Sequence, residues 1–289
     1  MENQKLKKSW KKIELNELVR YTQWPEKLLY FNGGTIFSKN KNEVYREYET
    51  DKYSTIYEKI KYGRFDLNKF DSIQYNVAKK IAFSLHEKLY EATIIEAMNI
   101  RLSLISQKIQ DVYRKGDPIV ELGSGSGQVI IRLAKDSRFN GSTFHAGDFS
   151  PSGLKIIDEI SRTERVSITT GLYDFYSDES ELSIPPGSII FTAFSLGYYK
   201  DINIQFWIRM QALKPRAVII VEPIYQFYKR EKLFGLFCKR YIEANDYSQG
   251  ILPSIESAEK KSIISIESIE KNVIGVNPIC PLSIITLRL

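Results

Sequence analysis

A glycine-rich loop between an apolar stretch and a helical pattern is the most informative part of the sequence. Residues 119–128 read Ile-Val-Glu-Leu-Gly-Ser-Gly-Ser-Gly-Gln, with Gly123, Gly125 and Gly127 at alternate positions. Glycine has no side chain, so a ligand can lie against the turn, and the N-terminus of the next helix adds free N–H groups. Glu121, beside the loop, disfavours a pyrophosphate and suits a cation such as an amino-acid ammonium.

A second carboxylate, Asp148, stands at the end of the next predicted strand. Its spacing of about 20 residues from the loop is that of a carboxylate that accepts two hydrogen bonds from a ribose diol. Phe149, its neighbour, is placed to face an adenine ring. Ser150 and Pro151 supply an N-cap and a first-turn proline for the following helix. The alternative role for Asp148 is to cap that helix at Ser150.

A parallel α/β sheet would bring these residues to one edge. From Gly116 onward, short β-branched runs alternate with helical patterns, which is typical of such a sheet. Residues 224–260 look helical, and residues 262–269 and 282–287 are predicted to pair as antiparallel strands. The other predicted strands are 119–122, 142–147, 166–170, 188–193 and 217–222, and the other predicted helices are 127–136, 151–162 and 202–213.

The residues before the loop show a different pattern. Apolar residues recur at helical spacing over residues 73–109, with no alternating strand pattern, so we expect a helical cap. We interpret the Tyr-rich residues 45–62 as a helix with an aromatic face packed on the core, or as a lid over a substrate. Because Lys and Tyr are interleaved there, stacking on nucleic-acid bases is the alternative.

The loop and two further motifs resemble class I S-adenosylmethionine-dependent methyltransferases. The motifs are Glu-x-Gly-x-Gly-x-Gly, Asp-x-Ser-Pro after the second strand, and Leu-Lys-Pro-x-Ala-x-Ile-Ile-x-Glu-Pro at residues 213–223. The resemblance covers residues 116–289 and implies an α/β fold with a seven-stranded, mostly parallel, doubly wound sheet. In that fold the last strand is antiparallel and inserted beside its neighbour. We expect residues 116–289 to form the S-adenosylmethionine-binding domain and residues 1–115 a helical cap that selects the substrate.

The resemblance also implies where the cofactor lies, across the carboxyl ends of the central strands. Glu121 and the loop backbone would hold the methionine part, and Asp148 the ribose. Leu172 stands where family members often have an acid, so either backbone groups or Asp174 would meet the adenine amino group. The predicted cofactor-binding residues are Glu121, Gly123, Ser124, Gly125, Gly127, Asp148, Phe149, Ser150, Leu172, Tyr173, Asp174, Phe194 and Ser195.

Three residues are candidates for catalysis. Tyr198 and Tyr199 follow the fourth strand, beside the expected methyl group, although packing is the alternative role for both. Glu222 ends a strand at the same edge and is a candidate general base. Two clusters needed for other chemistries are missing from the sequence. No acid follows the fourth strand until Asp201, so no metal is expected, and Cys280 is in the wrong place for carbon-5 cytosine methylation.

Related nucleotide-binding and DNA-modifying classes are disfavoured. Gln128 replaces the last glycine of the Rossmann fingerprint, which argues against a nicotinamide enzyme, and no Gly-Lys-Ser/Thr follows for a P-loop. Amino-group DNA methylation usually shows Asn/Asp-Pro-Pro-Tyr/Phe after the fourth strand, where this chain has Ala193-Phe194-Ser195-Leu196.

Composition limits the remaining choices. The 289 residues include 41 Lys and Arg against 35 Asp and Glu, a net charge of +6. This bias is milder than the basic stripe of a dedicated nucleic-acid binder. Two distant cysteines, Cys238 and Cys280, indicate a reducing compartment. No apolar run approaches the roughly 20 residues that span a bilayer. We therefore expect a cytoplasmic protein without a membrane partner.

The expected reaction is transfer of a methyl group from S-adenosylmethionine, with S-adenosylhomocysteine as product, to nitrogen or oxygen of a small metabolite or short peptide of natural-product type. The long region before the loop favours such a selected acceptor. RNA or protein methylation is the first alternative, with nucleic acid possible but not favoured, and an inactive methyltransferase fold that serves as a binding protein is the second.

Overall fold

A mixed β-sheet of ten strands organises the part of the chain that the computed structural model describes, residues 10–177, 180–200 and 202–289. The first nine residues of the predicted cap and Asp201 lie outside the described residues. The strands are β1 (Lys11–Ile13), β2 (Lys80–Leu85), β3 (Lys88–Thr93), β4 (Ile119–Leu122), β5 (Phe144–Asp148), β6 (Thr169–Leu172), β7 (Ile189–Ala193), β8 (Ala217–Glu222), β9 (Ser265–Gly275) and β10 (Leu282–Arg288).

The strand order is β1-β3-β2-β9-β10-β8-β7-β4-β5-β6. Strands β4 to β8 are parallel to one another. Strand β10 lies antiparallel between β8 and β9, as the resemblance implies. Since β4 is flanked by β5 on one side and β7 on the other, the chain changes direction across the sheet at β4. The carboxyl end of β4 is therefore the switch point at which open α/β sheets bind ligands.

Helices cover both faces of the sheet, which explains why the central strands are apolar on both sides. Residues 189–191 of β7 and 217–221 of β8 are fully buried. The helices are α1 (Trp24–Leu29), α2 (Lys41–Tyr45), α3 (Ser54–Ile60), α4 (Leu67–Gln74), α5 (Ile94–Val112), α6 (Ile130–Ala134), α7 (Pro151–Glu164), α8 (Ile204–Ala212), α9 (Leu233–Ala244) and α10 (Ile251–Lys260). No helix in the described part of the chain is long and apolar enough to cross a membrane.

Three strands come from the region that the sequence predicts to be helical. Strands β2 and β3 form a hairpin, β1 pairs with β3, and β2 pairs with β9, so the prediction of seven strands and of an all-helical cap is wrong. The apolar spacing is misleading because Ile81 and Leu85 are four residues apart, a separation that fits one face of a strand as well as of a helix. The turn residues His86 and Glu87 both have positive φ, at 48° and 62°, as a two-residue hairpin turn of type I′ requires.

Residues 41–60 form one continuous helix, here named the cap helix. Its middle, Arg46–Tyr53, is π-helical, between α2 and α3. A π-turn brings residues five apart into line, and the rings of Tyr48 and Tyr53 are accordingly 5.7 Å apart. The cap helix is fixed to α7 by Glu49, whose carboxylate accepts hydrogen bonds from Ser150 Oγ at 2.5 Å and from Ser152 N at 3.0 Å.

Candidate ligand-binding site

A cavity of about 880 Å³ opens at the carboxyl ends of the parallel strands, beneath the cap helix. Its volume lies in the range of small-molecule sites. Gly127, Ser150 and Glu222 do not line it. The structure brings the other predicted site residues together around this cavity: Glu121, Gly123, Ser124, Gly125, Asp148, Phe149, Leu172, Tyr173, Asp174, Phe194, Ser195, Tyr198 and Tyr199.

The loop after β4 needs glycine for both conformation and space. Gly123 and Gly125 have φ of +73° and +54°, and a Cβ on them would lie 2.3 Å from Ser195 Cβ and 2.4 Å from Tyr53 Oη, respectively. Gly127 has a different role, because its Cβ would meet Ile157 in the core at 2.7 Å. The first two glycines therefore keep the cavity open, and the third allows the helix to pack.

Asp148 presents a buried carboxylate at the end of β5. Its Oδ2 accepts a hydrogen bond from Gly125 N at 2.7 Å, and its Oδ1 accepts one from Ser150 N at 2.9 Å. Burial raises the pKa of Asp148 to about 6, although these backbone N–H groups oppose the shift. The group is therefore mostly ionised at pH 7, and its remaining lone pairs can accept hydroxyl hydrogens. Ser150 caps α7 through Gly153 N at 2.9 Å, outside the cavity.

Glu121 and Arg101 place a carboxyl group and a guanidinium at the methionine end of the predicted site. Glu121 Oε2 accepts a hydrogen bond from Ile130 N at 3.0 Å, and burial raises the pKa of Glu121 to about 8, with Ile130 N and Arg101 opposing the shift. Arg101, from α5, lines the cavity, and its buried Nε has no hydrogen-bond partner within the described residues. A buried polar atom is normally paired, so this end of the cavity suits a ligand that carries a carboxylate for Arg101 and an ammonium for Glu121.

The predicted adenine side is tied to the cap helix. Asp174 Oδ2 accepts a hydrogen bond from Lys41 Nζ at 2.6 Å, and its Oδ1 accepts one from Tyr176 N at 2.9 Å. The ring of Phe149 is 6.1 Å from that of Tyr45. The acid that the sequence offers for the adenine amino group is thus already paired with a lysine of the cap.

Glu222 lies behind the cavity wall. Its carboxylate is fully buried and accepts hydrogen bonds from Ser195 N at 2.9 Å, Leu196 N at 3.0 Å and Gly197 N at 3.2 Å. Burial raises the pKa of Glu222 to about 6, against these donors. The structure therefore does not bring this residue to a position where it can act as a base, and its contacts fix the turn after β7. In that turn Phe194 has φ of +61°, a strained conformation for a residue other than glycine.

Two tyrosines meet across the cavity. The hydroxyl oxygens of Tyr48, from the cap helix, and Tyr198 are 2.5 Å apart. Burial raises the pKa of both hydroxyls well above the ordinary value, so both stay protonated at neutral pH and act as donors and acceptors rather than as bases. Tyr199 packs beside them, with its ring 4.4 Å from that of Tyr176.

The site also contains residues that were not among the sequence candidates. Arg101 lies within an apolar helical pattern, and the one feature of the sequence that could point to it is a single arginine in that pattern. The Tyr-rich stretch was recognised, but its cavity-facing members depend on the π-turn. The added residues at the cavity wall from the cap helix are Lys41, Val44, Tyr45, Tyr48, Lys52 and Tyr53.

Comparison with known proteins gives the fold. No family model and no curated protein matches the chain. Among solved structures, magnesium protoporphyrin IX methyltransferase from Synechocystis PCC 6803, with bound SAH, is 12% identical with a TM-score of 0.53, over 86% of this chain and 99% of that chain. A small RNA methyltransferase is 15% identical with a TM-score of 0.51, over 67% of this chain and 25% of that chain.

A third match, mitomycin 7-O-methyltransferase, is 14% identical with a TM-score of 0.47, over 67% of this chain and 55% of that chain. The chain thus spans about half the length of the mitomycin enzyme. Together with the strand order and the antiparallel β10, the likeness to the first two structures shows that this protein has the class I methyltransferase fold.

Proposed function

We propose that the protein is an S-adenosylmethionine-dependent methyltransferase. The observation that carries the proposal is the distribution of buried polar groups around one cavity. Glu121 and Arg101 offer a carboxyl group and a guanidinium at one end, and Asp148 offers an acceptor for hydroxyl groups further along. Between them lies a glycine loop that side chains would block. A ligand in which an amino acid is joined to a ribose carries groups that match these in the same order: an ammonium, a carboxylate and hydroxyls. The residues present therefore fit the cofactor that binds to proteins of this fold.

Each end of the cavity would hold a different part of the cofactor. Glu121 would bind the ammonium and Arg101 the carboxylate, while Asp148 would accept hydrogen bonds from the ribose hydroxyls. Phe149 and Tyr45 would lie beside the adenine ring. When bound, S-adenosylmethionine supplies a methyl group on a positively charged sulfur, and the neutral thioether that remains is a good leaving group.

The protein's own contribution would be alignment and exclusion of water. Aromatic residues of the cap helix and of the turn after β7 enclose the cavity, and the Tyr48 and Tyr198 hydroxyls can orient an acceptor by hydrogen bonding. Because none of these groups is a strong base at neutral pH, the acceptor should be a nitrogen or oxygen that loses its proton easily or has none to lose.

The size of the cavity supports a small metabolite or a short peptide as acceptor, and the cap helix forms one of its walls. We assign the selection of this acceptor to the cap helix. Methylation of RNA stays the alternative, and it predicts binding that weakens steeply with salt.

Calorimetric titration with S-adenosylhomocysteine tests the cofactor site. Asp148→Asn should weaken binding by about 1–3 kcal/mol, the scale of a lost charged hydrogen bond. Asp51→Asn is the matched control, because Asp51 is exposed on the cap helix and does not line the cavity. If the folded wild-type protein does not bind either S-adenosylmethionine or S-adenosylhomocysteine, the proposal fails.

A further inference from the structure

Lys52 is a cation of the cavity wall that the cofactor does not use. Its ammonium lies over the ring faces of Tyr48 and Tyr53, 5.1 Å and 5.3 Å from their centroids. It lines the cavity, and within the described residues no hydrogen bond or salt bridge is made by its Nζ. Lys52 is exposed at the edge of the cavity, and desolvation by its neighbours lowers the pKa of the ammonium, with Glu47 opposing the shift.

The neighbouring charges leave an excess of positive charge at this point. Glu47 is the acid whose charge acts on Lys52, but its carboxylate is paired with the buried Lys39. Lys39 itself lies 5.8 Å from the ring centroid of Tyr198. Two lysines therefore share one carboxylate. A ligand that fills the cavity would remove water from Lys52, and aromatic faces stabilise a cation only in part, so an anionic group on that ligand would be favourable.

The cofactor cannot supply that anion if it binds as proposed. Its one carboxylate would be held by Arg101 beside Glu121, and neither Glu121 nor Asp148 contributes to the electrostatic environment of Lys52. Lys52 lies between Tyr53, whose hydroxyl lies beside Gly125, and Tyr48, whose hydroxyl meets Tyr198. The second ligand of the site, the methyl acceptor, is then the one that can supply the anion.

We infer that the acceptor is an aromatic carboxylic acid, with its carboxylate bound by Lys52 and its ring packed among the tyrosines that surround the Tyr48–Tyr198 pair. This inference rests on the proposed function and deepens it by naming the class of acceptor. Flat rings suit the wall formed by Tyr48, Tyr198 and Tyr199, since aromatic pairs prefer edge-to-face and offset contacts such as those between these side chains and their neighbours.

Matched acids and amides test the inference. The probes are 4-hydroxybenzoate and indole-3-acetate, each compared with its primary amide, titrated by calorimetry into protein saturated with S-adenosylhomocysteine. Wild-type protein should bind each acid about tenfold more tightly than its amide, the scale of one charged hydrogen bond. Lys52→Met should remove this preference, and Lys52→Arg should keep it. Lys59→Met, an exposed lysine of the same helix, should not change it.

Three results would overturn the inference: equal affinity for acids and amides, an unchanged preference in Lys52→Met, or no binding of any probe. A separate measurement distinguishes failure of the proposed function from these three results. Each variant is first titrated with S-adenosylhomocysteine alone, and Lys52→Met should bind it as tightly as wild type does. If wild type does not bind it, the proposed function fails, and the acid–amide comparison is then made on the free protein.

Discussion

Replacing Arg101 by methionine should selectively remove the affinity for the amino-acid part of the cofactor. In the free protein the guanidinium of Arg101 lines the cavity, and its Nε has no hydrogen-bond partner within the described residues. Glu121 is the carboxyl group whose charge acts on it. A cofactor carboxylate would give this cation its partner. A hydrogen bond to a charged group is worth about 1.5–3 kcal/mol, and the buried position removes the screening that would reduce it. We therefore expect a loss of about 2 kcal/mol, or about thirtyfold in Kd.

The assay compares two ligands that share adenosine. S-adenosylhomocysteine carries the amino-acid group, and 5′-methylthioadenosine lacks it. Calorimetry should show that Arg101→Met loses affinity for the first and keeps its affinity for the second. Arg114→Met, at an exposed arginine beyond the end of α5, should leave both unchanged. Since desolvation disfavours the charge of Arg101 and its Nε has no hydrogen-bond partner in the described part of the chain, the melting temperature of the free protein should not fall.

Two results would refute this reasoning. Equal affinity of wild type and Arg101→Met for S-adenosylhomocysteine would show that Arg101 does not meet the carboxylate. An equal loss for both ligands would place the effect in the fold of the cavity rather than in recognition of a zwitterion, and a lowered melting temperature would support that explanation.

Three further predictions concern the loop and Glu121. Because burial raises the pKa of Glu121 to about 8, the free protein holds a proton there at pH 7 that a bound ammonium should displace. S-adenosylmethionine should therefore bind more tightly as pH rises from 6 to 8. Calorimetry in buffers of different ionisation enthalpy should detect the released proton, and Glu121→Gln should release none. In the free protein, a carboxyl whose folded pKa is raised adds stability at low pH that is lost as pH rises from about 4.5 through 8. Glu121→Gln should thus have a higher melting temperature than wild type at pH 8.5 and nearly the same melting temperature at pH 5. An equal difference at both pH values would contradict the assignment. Gly125→Ala should abolish binding of S-adenosylhomocysteine and cost about 1–2 kcal/mol of stability, because alanine is strained at φ of +54° and would contact Tyr53. Gly141, with φ of +94° and open space around it, is the control, and Gly141→Ala should lose stability but keep binding. Urea unfolding measures the stability and calorimetry the binding.

Local sequence features predict much of the sheet and of the cofactor site. Strands β4, β7 and β8 are short apolar runs bounded by turns, and Gly123, Gly125 and Asp148 lie within a few residues of the ends of β4 and β5. Such positions follow from parallel-sheet geometry once the fold class is assigned. For the same reason Glu222 was expected at the active edge, and only the packed turn after β7 shows that its carboxylate faces backbone N–H groups instead.

The remaining features depend on contacts between distant parts of the chain. The hairpin β2–β3 was missed because a four-residue apolar spacing fits both a helix and a strand. Arg101 and Lys52 enter the site only because α5 and the cap helix pack against the edge of the sheet. The π-turn within Arg46–Tyr53 also shifts which side chains face the cavity, and no residue in that stretch marks it in the sequence.

The way in which β2 joins the sheet has a consequence for biosynthesis. Its partner outside the hairpin is β9, through the pairs Ser84–Gly275 and Leu85–Ile274, and β9 in turn is held by β10 near the end of the chain. During translation the first strands therefore leave the ribosome long before their neighbour exists. The β2 edge must wait unpaired, and such an edge is prone to pair with another chain. Productive pairing of β2 should consequently be a late event that follows synthesis of β9 and β10.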